Sequence, residues 1–512
     1  MSARKKVLVV NVFFDEYRRR NGSPTRIPRA MGHVFLAGAF DSARNAVRVY
    51  SEQHSGPLLD PDLLGWPDML VLTGLTNGFD RMLHLTAYAR ALHPGVVVVA
   101  GGPAIRALPA RAASVFDYAL TTDVEGLGDA ITDAFGPEYA SEEWFPRFDL
   151  AEPSRLVGYV ESSRNCNFHC SFCSLTAEGR RFQRYETGFL ERQLVALEGR
   201  HIVLIDNNFF GNDRRRFEER LDLLGEFYRS GRIRSWSALV TGDFFAHQDY
   251  LERAKTAGCL SLFTGVESFD AATLRRTKKR QNEVAPQIEM IRNCLDAGIL
   301  LEYGIMADPT TRPIAELESE IAYILRTPQI TLPAYFTLAI PLLGTPYFQE
   351  CLDERRILPN TRLHDLDGVV LSMKTIDPLE DAVAFARRLP SLAGHRKQVL
   401  RHAVGFTRRY ARRLAPLQIA AALVNVALVA TASSAASSPS TVFRRRPVQT
   451  FLSTTETLDP LYRPFMNLPS SFERYFKPTM ITDADGEPSE DILPDLVAKA
   501  SLAGREGTRP NA

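Results

Sequence analysis

The stretch Leu156–Thr176, LVGYVESSRNCNFHCSFCSLT, sets a short β-branched run in front of three of the chain's six cysteines, which fall within eight residues. A strand that delivers metal-ligating side chains at its carboxyl end is typical of α/β enzymes, whose chemistry sits at that end. Cys166, Cys170 and Cys173 form Cys-x-x-x-Cys-x-x-Cys, which departs from the two-residue spacings of a bacterial ferredoxin run. A structural zinc ion wants four closed ligands, and His169 is the nominal fourth. However, His169 adjoins Cys170, and neighbouring residues seldom both turn inward onto one ion. Cys259, Cys294 and Cys351 are far apart on strand and helix patterns and read as core cysteines. The spacing therefore favours a 4Fe-4S cluster in which one iron lacks a protein thiolate and is open to a ligand.

After the cysteines come HIVLIDNN, WSALVTG, LSLFTGVES, LEYGIMAD and AYFTLAIPL, interleaved with helical patterns such as Asp213 to Tyr228 and Glu283 to Ala297. Together with LVGYVESS these six strand-helix units predict a partial (β/α)6 TIM-type barrel over 156–355. Ahead of a linker at 141–155, alternating runs such as KKVLVVNVFF, DMLVLTG and GVVVVAGGP predict a doubly wound, Rossmann-like parallel sheet over 1–140. Ligands of such a sheet bind in the loops at the strands' carboxyl ends, here those after Asn11, Thr73, Ala100 and Thr122. With 61 Lys+Arg against 60 Asp+Glu the charge is balanced, so composition points to no nucleic-acid partner. The apolar N-terminal run stops at Asp15 without a cleavage site and reads as a strand, so a reducing, cytoplasmic setting is expected.

YVESSRNCNFHCSFCSL resembles the signature of the radical S-adenosylmethionine superfamily. The resemblance implies that Cys166, Cys170 and Cys173 hold the 4Fe-4S cluster and that the open iron binds S-adenosylmethionine, with Phe172 near the adenine. It implies a 5'-deoxyadenosyl radical as the reactive species and an electron donor such as flavodoxin or ferredoxin. The resemblance extends over roughly 5–355, in the class with an N-terminal cobalamin-binding-like domain. By position, Asp206, Asn207 and Asn208 lie near the methionyl group, Glu267 and Ser268 end a strand facing the ribose or carboxylate, and Lys279 matches a basic position of the family. VVVVAGGP and FDYALTTDVEG are similar to the cobalamin loops, which assigns Asn11, Thr73, Gly101, Gly102 and Glu125 to that cofactor. No Asp-x-His-x-x-Gly occurs, so a histidine lower ligand to cobalt is not indicated, and His33 and His54 read as surface or satisfied core residues.

Beyond 355 the resemblance fades into a mainly helical specificity region at 356–485 and a tail at 486–512 whose composition predicts disorder. Within it, Leu414–Ala432 is a largely apolar stretch flanked by arginines. It is a weak membrane span because of Pro416, Gln418 and Asn425, but suits peripheral membrane contact. The expected function is cobalamin-dependent C-methylation of an unactivated carbon in a small or lipid-like substrate. A radical oxidoreductase or cyclase without methyl transfer is the alternative within enzymes, and a structural iron-sulfur or zinc protein the alternative outside them.

Overall fold

The fold is described from a computed structural model over residues 4–14, 30–122, 124–151, 156–179, 181–211, 213–282, 286–368, 370–437, 458 and 460–498. The chain divides into two compact units that are not contiguous in sequence. Unit 1 comprises 1–152, 341–367 and 452–512, and unit 2 comprises 153–340 and 368–451.

Unit 1 is built on five parallel strands, β1 (Lys5–Asn11), β2 (Asn45–Ser51), β3 (Met69–Thr73), β4 (Val97–Gly101) and β5 (Tyr118–Leu120), in the order β2-β1-β3-β4-β5. Val7 to Val10 are all fully buried, as expected of a parallel strand covered on both faces. One face packs Val7, Val9, Val71 and Val99 against Ala37, Leu127 and Ile131. The other is covered by the helix Phe79–Leu92, which is buried on nearly every side, including Asp80, Arg81 and His84. Its outer side is closed by the C-terminal segment. Tyr462 donates to Asp80 at 2.6 Å, Thr479 donates its N–H at 3.0 Å and its hydroxyl at 2.5 Å, and Phe476 stacks on His84 at 4.6 Å. Arg81 pairs with Glu52 at 2.7 Å with both side chains fully buried.

The expected boundaries at 140, 155, 355 and 485 follow the chain, whereas the packing does not. Segments 341–367 and 452–512 fall in the unit of the N-terminal sheet: Tyr462 and Phe476 complete its helix 79–92, and His364 packs its ring 4.3 Å from that of Phe14. The tail expected to be disordered from 486 is structured as far as it is described. Ile492 and Asp495 are buried, and Asp495 accepts the N–H of Ala110 at 2.6 Å. Residues 499–512 lie outside the described residues.

Unit 2 is an open half-barrel of six parallel strands, β6 (Val157–Val160), β9 (His201–Leu204), β10 (Ser235–Leu239), β11 (Cys259–Glu267), β12 (Leu300–Ala307) and β13 (Tyr335–Leu338), in sequence order across the sheet. A two-strand ribbon, β7 (Ser163–Arg164) and β8 (Gln183–Arg184), brackets the cysteine loop. The register of β11 on β12 slips between Gly265 and Glu267, and Glu267 takes a left-handed φ of 63°. Such a bulge re-aims the side chain that ends the strand. The expected helices at Asp213–Tyr228 and Glu283–Ala297 are observed as Arg214–Arg229, capped by Asp213, and Gln287–Asp296. Residues 283–285 lie outside the described residues.

Candidate active site

The cysteine loop leaves the carboxyl end of β6, and the other candidate residues of unit 2 leave the same ends of β9 and β11. Ser171 ties this loop to the segment after β11 through the Thr277 carbonyl, with its N–H at 3.3 Å and its hydroxyl at 3.2 Å. Cys170 is buried and Cys166 and Cys173 are partly so, all three free thiols, while His169 points to solvent. The cysteines are close enough to perturb one another. Burial pushes the Cys166 thiol up to about 11 and Cys173 in the same direction, with their fellow cysteines adding to it and Lys279 opposing it. Among the described residues no three His, Cys, Asp or Glu side chains converge on one ion position.

Glu267, Lys279 and Phe172 come together beside this loop. Lys279 is buried and forms an ion pair with Glu267, and its ammonium lies 5.6 Å from the centre of the Phe172 ring. A charged amine over an aromatic face gains a cation–π attraction in addition to its carboxylate. Gly265 makes room for the pair, since a Cβ there would fall 2.2 Å from the Glu267 carboxylate and 2.5 Å from the Lys279 amine. A carboxylate that ends an apolar strand is costly to bury without a partner. Lys279 supplies that partner from within the chain.

The remaining residues of unit 2 divide between exposed and committed. Asp206 is fully buried, accepting from the Ser162 N–H at 2.7 Å, the Ser162 hydroxyl at 2.5 Å and the Ser163 hydroxyl at 2.7 Å, with Arg220 3.6 Å away. Burial pushes its carboxyl above the ordinary range against the pull of Arg220 and these donors. Asp206 therefore braces the start of the cysteine loop. Asn207 is exposed, and Asn208 is buried and donates to Asn167 of the loop at 2.7 Å. Ser268 is fully buried and donates to Glu320 at 2.8 Å, where Arg312 also binds at 2.5 Å, so its hydroxyl is taken up by that network.

Three residues that sequence reasoning did not single out complete the surroundings. Gln281 donates to the Cys170 sulfur at 3.3 Å, Asn282 donates to the Gly265 and Val266 carbonyls at 2.8 and 3.1 Å, and Gln287 holds the Val266 and Ser268 carbonyls. Their signal in the sequence is the polar Gln281-Asn282 pair, which begins two residues beyond Lys279. The side-chain oxygens of Asn208 and Gln281 are buried without a hydrogen-bond partner. Buried polar atoms are normally satisfied, so orphans bonded to the loop on their other side fit a group that the loop would hold.

In unit 1, Asn11, Thr73 and Gly101 share one rung across β1, β3 and β4 at the carboxyl edge. The β1/β3 boundary is the switch point of this strand order, where ligands of doubly wound sheets bind. Gly102 follows with a φ of 94°, and a Cβ there would meet the Thr73 hydroxyl at 3.1 Å. Glu125 is exposed in the first turn of the helix Val124–Phe135. His33 is buried with an unpartnered Nδ1, and burial lowers its pKa to about 4. As expected, Cys259, Cys294 and Cys351 are buried core residues.

The site is thus a half-barrel whose first strand runs into a loop of three free cysteines, in a chain that also carries a doubly wound sheet. Residues 160–316 match the family described as the Radical SAM superfamily, a match that implies a 4Fe-4S cluster and S-adenosylmethionine. Among curated proteins it is 24% identical to the hopanoid C-2 methylase of Rhodopseudomonas palustris, over 69% of this chain and 70% of the relative. It is 26% identical to the hopanoid C-3 methylase of Methylococcus capsulatus over 37% of this chain and 34% of the relative. Among solved structures, the cobalamin-dependent S-adenosylmethionine radical enzyme OxsB with aqua-cobalamin bound superposes with a TM-score of 0.53 at 13% identity, covering 84% of this chain and 80% of that one. At that identity the likeness concerns the fold.

Proposed function

We propose that this protein is a cobalamin-dependent radical S-adenosylmethionine C-methyltransferase acting on an unactivated carbon of a lipid-like substrate. The observation that carries it is the open triad Cys166, Cys170 and Cys173 backed by the Lys279–Glu267 pair and Phe172, in a chain that also carries a sheet with the β1/β3 switch point. The names of the curated relatives, methylases of hopanoid lipids, support the methyl transfer and the substrate class.

In this reading the three cysteines hold the cluster, while Phe172, Asn207, Asn208, Glu267 and Lys279 face S-adenosylmethionine. Asp206 and Ser268 act one layer back, keeping the cysteine loop and the end of β11 in place through Ser162, Ser163 and Glu320. Asn11, Thr73, Gly101, Gly102 and Glu125 form the rim for cobalamin, where Gly102 lets the backbone approach a bulky ring. When bound, these groups supply single-electron cleavage of S-adenosylmethionine and carriage of a methyl group; the chain's part is to bind, orient and exclude water. A small ferredoxin- or flavodoxin-type electron donor, a cytoplasmic location and peripheral membrane contact through 414–432 complete the reading. Mass spectrometry of lipids from cells with and without the gene tests it. The reading expects a lipid one methyl group heavier only where the gene is present; identical lipid profiles would count against the substrate class.

A further inference from the structure

The helix Pro416–Ser437 carries no charge and is apolar on both its inner and outer sides, and the two polar side chains between 416 and 430, Gln418 and Asn425, turn inward. Gln418 is almost completely buried and donates to the carbonyls of Leu260 at 2.6 Å and Gly298 at 3.0 Å, while accepting the Ala415 N–H at 2.7 Å. Asn425 donates to the carbonyls of Leu332 at 3.1 Å and Pro333 at 3.0 Å. These two polar residues, which weaken the stretch as a membrane span, fasten the helix to unit 2. The outward residues are Leu417, Ala420, Ala421, Leu423, Val424 and Ala427, with Leu417 64% and Val424 45% exposed. Their spacing makes a continuous apolar stripe facing solvent, and exposed stripes of this kind mark interaction sites.

Charge decides what covers the stripe. From Arg396 to Ser437 the sequence contains seven Lys and Arg and no Asp or Glu. Arg413 pairs with Asp296, whereas Lys397, Arg401, Arg408 and Arg412 are solvent-exposed around the exposed apolar Leu400 and Val404. A second copy docking through the same face would bring like charges together. No described helix is long and apolar enough to cross a membrane, so the stripe would lie on a bilayer. We infer that this helix is an interfacial anchor that seats unit 2 on an anionic lipid surface, with its apolar stripe at the acyl boundary and the basic residues among the headgroups. This deepens the peripheral contact proposed above, and it rests on the lipid-substrate reading for its purpose but not for its binding.

The test is sedimentation of the full-length, cluster-loaded protein with vesicles of phosphatidylcholine, with and without phosphatidylglycerol. Binding is expected only to the anionic vesicles and weakens with added salt. Leu417→Glu/Val424→Glu and Arg408→Ser/Arg412→Ser each reduce it roughly tenfold, while Leu156→Glu, at an exposed leucine elsewhere in unit 2, leaves it intact. Circular dichroism checks that each variant is folded. Absence of wild-type binding, or variants that bind like wild type, overturns the anchor. So does a stable dimer that Leu417→Glu/Val424→Glu converts to monomer with vesicle binding unchanged, since the stripe then belongs to a second copy. Vesicle binding needs no turnover, so an anchored protein that methylates no lipid would end the functional reading and leave the anchor standing; methylation without binding would do the reverse.

Discussion

Gln281 places one amide proton against the sulfur of Cys170, and its other side-chain atom has no partner. A hydrogen bond to a cluster thiolate stabilises the reduced, more negative state, and such bonds help set the potentials of iron-sulfur centres. Gln281→Leu is expected to lower the midpoint potential of the reconstituted cluster by on the order of 50 mV, the equivalent of about one hydrogen bond. Spectroelectrochemistry with electron paramagnetic resonance detection reads it, and an unchanged potential with intact iron content would remove Gln281 from this role. At this scale the sequence was most informative where spacing carries the chemistry. Cys166, Cys170 and Cys173 stood out because thiolate spacing constrains the group that such residues can hold. The partner of Glu267 was not legible, because Lys279 reaches it only through a bulge that local pattern does not reveal. Asp206 was found, but as a site residue. Its role as a brace depends on Ser162, Ser163 and Arg220, which only the fold brings together.

At the scale of elements, the strands were readable from their apolar runs, whereas the burial of the helix Phe79–Leu92 on nearly every side was not. Its Asp80, Arg81 and His84 look like an outward face until Tyr462, Phe476 and Thr479 arrive from far along the chain to cover them. That burial has a pH consequence. Burial lowers the pKa of His33 and of His364 to about 4 and drives His84, which has neither ring nitrogen bonded, well below its ordinary value. A histidine with a depressed folded-state pKa contributes stability that is fully present above its unfolded value near 6.5 and is lost as pH falls toward 4. Each of His33 and His364 accounts for about 3 kcal/mol over that window. Amide-exchange protection of β1 and of helix 79–92 should therefore fall between pH 6.5 and 4, and less steeply in His84→Phe. Identical pH profiles for the two proteins would contradict the neutral, buried assignment of His84.

For the molecule as a whole, the two architectures were legible from alternating strand and helix patterns, while their boundaries were not. The C-terminal segment returns to unit 1, where Thr479, Tyr462 and Asp495 satisfy polar groups of the N-terminal sheet's helices, and segment 341–367 returns with His364 packed on Phe14. Pairings across hundreds of residues leave no local signature. The helix 416–437 shows the same limit from the other side. Its composition suggested a lipid contact, but only the fold reveals that Gln418 and Asn425 point inward and leave the apolar side out. The central claim is that the two units together perform methyl transfer by radical chemistry. It is tested most directly by incubating the anaerobically reconstituted protein, with cobalamin, a reductant and a lipid extract, with S-adenosylmethionine deuterated at its methyl group. The account predicts 5'-deoxyadenosine together with a lipid product carrying the deuterated methyl. Formation of 5'-deoxyadenosine and a changed product without any label would contradict it.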